Sequence, residues 1–133
     1  MNTYGRTCIP IESIFHIIFE TEPGIGYVYI IENEMNIKIG RTSNPQNRFR
    51  QLSNSNSGGL TPLRLFVSEP MYIDKTIEHL MHQKFADHRV EGEWFTDVEF
   101  DAVKDELIKL CTSEEFQTCN KVRKDYSEQY VNR

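Results

Sequence analysis

Apolar residues recur along this chain in runs whose period changes from helical to strand-like and back. Residues 9–20 (IPIESIFHIIFE) place apolar side chains at helical spacing, and the breaker pair Pro23-Gly24, followed by Gly26, ends that run as an N-terminal helix and linker. The β-rich stretch Gly26-Tyr-Val-Tyr-Ile-Ile31, the polar Glu32 to Asn36 and the strand Ile37-Lys-Ile-Gly40 read together as a hairpin. Strand alternation then assigns faces. Val28, Ile30, Ile37 and Ile39 point into a core, and Tyr27, Tyr29 and Lys38 lie on the opposite side.

Asn44-Pro45 has the form of a helix start, an Asn cap followed by Pro at the first helical position, so Arg48 falls in the opening turn of a short helix reaching about Leu52. Ser53 to Thr61 reads as a polar loop, and Leu63 to Val67 as a third strand. Ile73, Ile77, Leu80, Met81 and Phe85 mark an amphipathic helix over about 72–87, and Phe100, Val103, Leu107 and Leu110 mark another. Residues 112–133 are polar and weakly patterned. The expected fold is α/β of the α+β kind, a small three-stranded antiparallel sheet flanked by helices. Its expected parts are a helical extension (1–24), a central domain (25–110) and a polar tail (111–133).

At 133 residues, with eight Phe, six Tyr and one Trp, the chain has room for one real core and not for two full domains. The apolar run near the start is interrupted by Glu12, Ser13 and His16 and lacks signal-peptide layout, which points to a soluble cytoplasmic protein with no membrane partner. Cys8, Cys111 and Cys119 show no CxxC spacing, so structural zinc is not indicated and reduced thiols are expected. The net charge of -5 is unhelpful to a protein that binds a polyanion, yet it is unevenly spread. Between Met35 and Ser68 there is no Asp or Glu, while Lys38, Arg41, Arg48, Arg50 and Arg64 are all basic. One basic face is therefore expected.

On the 72–87 helix the apolar side chains cover an arc of about 140°, with Glu78 about 20° past its edge and His82 about 40° further on. A carboxylate and an imidazole would line one rim. From the helix alone, the simplest account is an exposed Glu and His beside a core stripe. The order of features along the chain adds more. Gly26-Tyr27-Val28-Tyr29, then Lys38-Ile39-Gly40, then Arg48 eight residues after that glycine, then Glu78, His82 and Gly92-Glu93-Trp94-Phe95 resemble, in that order, the GIY-YIG nuclease superfamily, in particular its phage and bacterial branch ending in a GEWF segment. The resemblance covers about residues 25–110.

That resemblance implies a metal-dependent endonuclease acting on nucleic acid, DNA before RNA, of phage or mobile-element origin. It gives Tyr29 the task of orienting or activating the attacking water, with Tyr27 on the same face as its rival. Arg48 would hold the scissile phosphate, Glu78 would be the protein ligand of Mg²⁺ or Mn²⁺, and His82 would assist. Gly40 would let backbone pass close to neighbouring groups; Arg41 and Arg50, outside the motifs, read as solvated or as contacting phosphate without base readout. Lys38 replaces the tyrosine of the second motif. It can hold water or phosphate electrostatically, or act as a base if its pKa falls well below about 10.4. The chemistry suits these residue types in its own right. Phosphodiester hydrolysis needs a placed water, a cation for charge building on non-bridging oxygens and help for the departing oxygen.

Blander roles stand beside these. Trp94 and Phe95 read as core, Glu93 as a turn residue and His79 as surface. The N-terminal helix, the 53–61 loop and Lys121, Arg123 and Lys124 could extend a nucleic-acid contact or form a homodimer. The alternative function is a catalytically silent scaffold that binds nucleic acid or inhibits another protein, which the acidic net charge favours.

Overall fold

A computed structural model describes residues 24–55 and 64–131 of the chain. The expected helix at 9–20 and most of the expected loop at 53–61 lie outside the described residues. Strand β1 (Tyr27–Glu32) and strand β2 (Ile37–Thr42) form the expected hairpin, with Tyr29 opposite Gly40 and Ile30 opposite Ile39. Its turn is fixed by Asn33, whose side-chain oxygen accepts the backbone N–H of Met35 at 2.8 Å and of Asn36 at 2.7 Å. That turn sets the register on which everything downstream depends.

Helix α1 (Pro45–Ser55) begins where Asn44 and Pro45 place it and runs past the expected end. The Asn44 side-chain oxygen accepts the Asn47 N–H at 3.0 Å, while the Asn44 carbonyl accepts the Arg48 N–H, so the cap operates as the sequence indicates. Strand β3 (Arg64–Val67) returns antiparallel beside β1. Helix α2 (Asp74–Lys84) follows and ends in a short 3₁₀ turn (Ala86–His88). Strands β4 (Arg89–Glu91) and β5 (Trp94–Phe95) then make a hairpin that docks on the free edge of β2.

Among the described residues the sheet thus has five antiparallel strands in the order β3-β1-β2-β5-β4, which corrects the expected three. The two extra strands are three and two residues long, too short for alternation to register as a strand signal. Gly92, at φ 56°, makes the tight reversal between them.

Helices α3 (Phe100–Cys111) and α4 (Glu114–Val131) complete the fold. Val28, Ile30, Ile37 and Ile39 are buried with Ile73, Ile77, Met81 and Phe85 from α2 and its C-terminal end, Phe95 from β5, and Phe100, Val103 and Leu107 from α3. Burial of each such side chain contributes about 1.5–3 kcal/mol, and both faces of the hairpin are assigned as the alternation predicts. The polar, weakly patterned tail forms an 18-residue helix. Its Cys119 joins the core and Phe116 packs against it, while Arg123 and Ser127 are buried on the same side. Arg123 is therefore not a surface contact for nucleic acid, whereas Lys121 is exposed and pairs with Asp125 at 3.4 Å. Cys111 and Cys119 are free thiols, both pushed up to about 11 by burial. Among the described residues no helix is long and apolar enough to cross a membrane.

Candidate functional site

The side of the hairpin turned away from the core is not an ordinary wet surface. Tyr29 is 1 % exposed there, its ring met edge-on by Phe49 of α1 at 5.7 Å between centroids. Arg48, one residue earlier on α1, donates from Nε to the Tyr29 hydroxyl at 3.2 Å. The Asn44 cap thus fixes the start of the helix that brings both residues onto Tyr29. Of the two candidate tyrosines, Tyr29 makes this bond; Tyr27 is half-buried at the start of β1, across from Thr42.

Gly40 lies directly opposite Tyr29, and its lack of a side chain is a steric requirement. A Cβ there would fall 2.6 Å from the Tyr29 ring carbon Cζ and hydroxyl, and 2.9 Å from Glu93 Oε1. Lys38 lies two residues earlier on the same face. Its ammonium is 3.8 Å from Glu93 Oε1 and 5.5 Å from the centre of the Trp94 ring, so Trp94 is half-buried under a cation while Phe95 alone enters the core.

Glu78 comes from α2. Its Oε1 lies 3.7 Å from Arg41 Nε, and Arg41 Nη1 reaches Asp74 at 3.3 Å, so one guanidinium spans two carboxylates a helical turn apart. Glu78 Oε2 is buried and, among the described residues, has no hydrogen-bond partner. Burial first, and the negative charge of Glu93 second, push this carboxyl up to about 7 against the opposing pull of Arg41. His82, one turn later, sets Nε2 2.8 Å from the Ile39 carbonyl, which can only accept, so Nε2 carries the proton. Its ring meets Phe95 edge-on at 5.1 Å, making it a strut between α2 and β2. Arg50 and His79 are exposed.

Burial raises the Tyr29 pKa above the phenol range, with Arg48 opposing, so the hydroxyl is held neutral and available as an oriented donor or acceptor. Burial lowers that of Lys38, with Glu93 opposing and Arg48 adding to the fall. Glu78 adds a smaller electrostatic effect on both groups, raising each. Glu93 is the member that sequence reasoning missed. Its signals were its place in the Gly92-Glu93-Trp94-Phe95 segment and beside a turn glycine, which gave it the reading of a turn residue.

The expected basic face is largely neutralised in three dimensions. Lys38 meets Glu93, Arg41 meets Asp74 and Glu78, and Arg64 is held by Glu32 at 2.7 Å and by Asp101 at 3.4 Å, away from Tyr29. Among the described residues no three His, Cys, Asp or Glu side chains gather as a metal-holding group. Among the described residues the carboxylate oxygen that is buried without a hydrogen-bond partner is Glu78 Oε2; a single such donor fits an ion that keeps most of its ligands as water and phosphate.

A model of the T5orf172 domain matches residues 26–123, well over half of the chain. The chain belongs to the T5orf172 domain family. This corrects the resemblance to GIY-YIG nucleases, which rested on short motifs in a shared order: T5orf172 is a different family. The T5orf172 match takes in all of β1 to α3 and reaches Arg123 in α4, so it includes every residue of the site just described. No curated protein and no solved structure matches the chain.

Proposed function

We propose that this T5orf172 domain is a divalent-metal-dependent endonuclease that hydrolyses nucleic-acid phosphodiesters, DNA in preference to RNA. The family is phage-associated and often serves as a nuclease-like or DNA-binding module, which supports the broad class. The reading is carried by one observation: a buried tyrosine hydroxyl held by Arg48 on the sheet face that also carries Lys38, with a Glu78 carboxylate oxygen on α2 buried and, among the described residues, unpartnered.

In this reading Arg48 offers its remaining N–H donors to the non-bridging oxygens of the scissile phosphate. Tyr29, kept neutral by burial, orients the attacking water through its hydroxyl. Lys38 adds positive charge on the same face. Glu78 would hold Mg²⁺ or Mn²⁺, which supplies Lewis-acid stabilisation to the charge that develops as the P–O bond breaks. Water adds across that bond, leaving one phosphate monoester and one hydroxyl.

The test is a panel of single-stranded, duplex and structured DNA and RNA with Mg²⁺ or Mn²⁺, comparing the native chain with Glu78→Ala. Cleavage that requires metal and is lost in the variant, whose fold is intact by circular dichroism, is the expected result. A second reading, a scaffold that binds nucleic acid without cutting it, is favoured by the pairing of Lys38 and Arg41 with acids. Binding that survives Glu78→Ala, with no cleavage in either protein, would select it.

A further inference from the structure

We infer that Glu93 is a positioning residue of this site, one that holds the Lys38 ammonium charged and in place on the sheet face that carries Tyr29. The inference deepens the nuclease reading and rests on it for the catalytic consequence, though not for the contact itself.

Three geometric observations carry it. First, Glu93 Oε1 and the Tyr29 hydroxyl both lie within 3 Å of the one point that a Gly40 Cβ would occupy, so this oxygen borders the same small space as the hydroxyl while the rest of the Glu93 side chain stays partly exposed. Second, the same oxygen lies 3.8 Å from Lys38 Nζ, whose side chain is mostly buried. Third, the backbone is anchored: the Glu93 carbonyl accepts the Ile39 N–H at 3.0 Å, between Lys38 and Gly40, and the next residue, Trp94, pairs with Lys38 in the sheet. A freely moving turn residue would have none of these ties. The β4–β5 hairpin therefore delivers a carboxylate to the site.

A half-buried ammonium loses hydration and would tend to deprotonate. The charged groups acting on Lys38 are Glu93 from the hairpin, Arg48 from α1 and Glu78 from α2. Arg48 works with burial against the ammonium, and the two carboxylates offset part of the fall. Glu93 is the one in contact. The consequence is a choice between the two roles open to Lys38. The Glu93 contact favours the role of a fixed cation for phosphate over that of a general base.

The experiment is Glu93→Gln, with Glu93→Asp as the conservative control, on the full chain. Glutamine keeps the shape and the backbone bond to Ile39, and thermal unfolding checks the fold. The first readout is NMR titration of the Lys38 side chain, labelled at Cε and assigned with Lys38→Arg. The amine is expected to titrate at lower pH in Glu93→Gln and to return towards the native value in Glu93→Asp. The second readout is the pH profile of metal-dependent cleavage. In Glu93→Gln, kcat should fall at least tenfold with KM little changed, and the alkaline limb should move to lower pH. An unmoved Lys38 titration would overturn the inference. So would a normal kcat and profile in a protein that still loses cleavage on Glu78→Ala. If the native chain cuts nothing, the nuclease reading fails, and the Lys38 titration still decides whether Glu93 holds the amine.

Discussion

The two faces of the β1–β2 hairpin are both withdrawn from water, by opposite means. On one face Val28, Ile30, Ile37 and Ile39 join a cluster of buried apolar side chains, and burial itself is the driving force. On the other, Tyr29 is as deeply buried, but this face also carries Arg48 on its hydroxyl and the Lys38–Glu93 pair, so burial there is electrostatically costly and has to be offset contact by contact. The same strands thus divide stability from chemistry. Substitutions on the first face should damage the fold, and substitutions around the second should damage function with little loss of fold, or even some gain.

The largest effect is expected from the chemical side. Glu78→Ala should lower metal-dependent cleavage by about a thousandfold or more, as loss of a group that stabilises the transition state does, while the unfolding midpoint in chelator stays near or above the native value. Ile30→Ala is the mirror case. Ile30 is fully buried in the core cluster, and its truncation should cost about 2–5 kcal/mol in denaturant unfolding. Whatever folded protein remains should cut at the native rate. If Ile30→Ala instead lowered kcat in the folded fraction, the division between faces would be wrong.

A smaller effect tests the cost of keeping Glu78 where it is. Its carboxyl sits at about 7, against an ordinary 4.5, because burial and the Glu93 charge disfavour ionisation. A carboxyl whose folded pKa is raised binds its proton more tightly in the folded state. The native protein should therefore lose stability as pH rises from about 4.5 to about 7, with the cost absent below that window and fully present above it. The size is about 3 kcal/mol from the shift alone. In metal-free buffer, the stability of the native chain minus that of Glu78→Gln should fall by roughly this amount across the window; a difference flat with pH would show that Glu78 ionises freely. Bound metal should remove much of the fall.

The same division explains what could be read in advance. The core face followed from alternation at Val28, Ile30, Ile37 and Ile39, and the α1 start followed from Asn44-Pro45, because each is a local signal with a local cause. The bond from Arg48 to Tyr29 and the position of Glu78 on α2 agree with the faces assigned to them. What stayed hidden was non-local. The acid-free run from Met35 to Ser68 suggested a basic face, yet Asp74, Glu78 and Glu93 arrive from α2 and the β4–β5 hairpin to pair with its cations. Those strands were too short to announce themselves, and Glu93 went with them. The polar tail hid a helix because only spaced positions such as Phe116, Cys119, Arg123 and Ser127 turn inward, and two of those four are not apolar. Motif order alone also pointed to the wrong family, since short strand-and-glycine motifs recur across families.

The smallest expected effect lies where the two faces are joined. Asn44 touches neither the core nor the Tyr29 hydroxyl, yet its cap fixes the first turn of α1, from which Arg48 and Phe49 reach Tyr29. Asn44→Ala removes one side-chain acceptor and should cost about 1 kcal/mol, a shift of a few degrees in Tm. If the cap only stabilises, cleavage by the folded protein will not change. If it also sets the angle at which Arg48 meets Tyr29, kcat should fall several-fold, and Asn44→Ser, which restores a capping oxygen, should recover it along with the lost stability. Recovery of Tm without recovery of kcat would detach the cap from the chemistry and leave Arg48 positioned by the tyrosine hydroxyl alone.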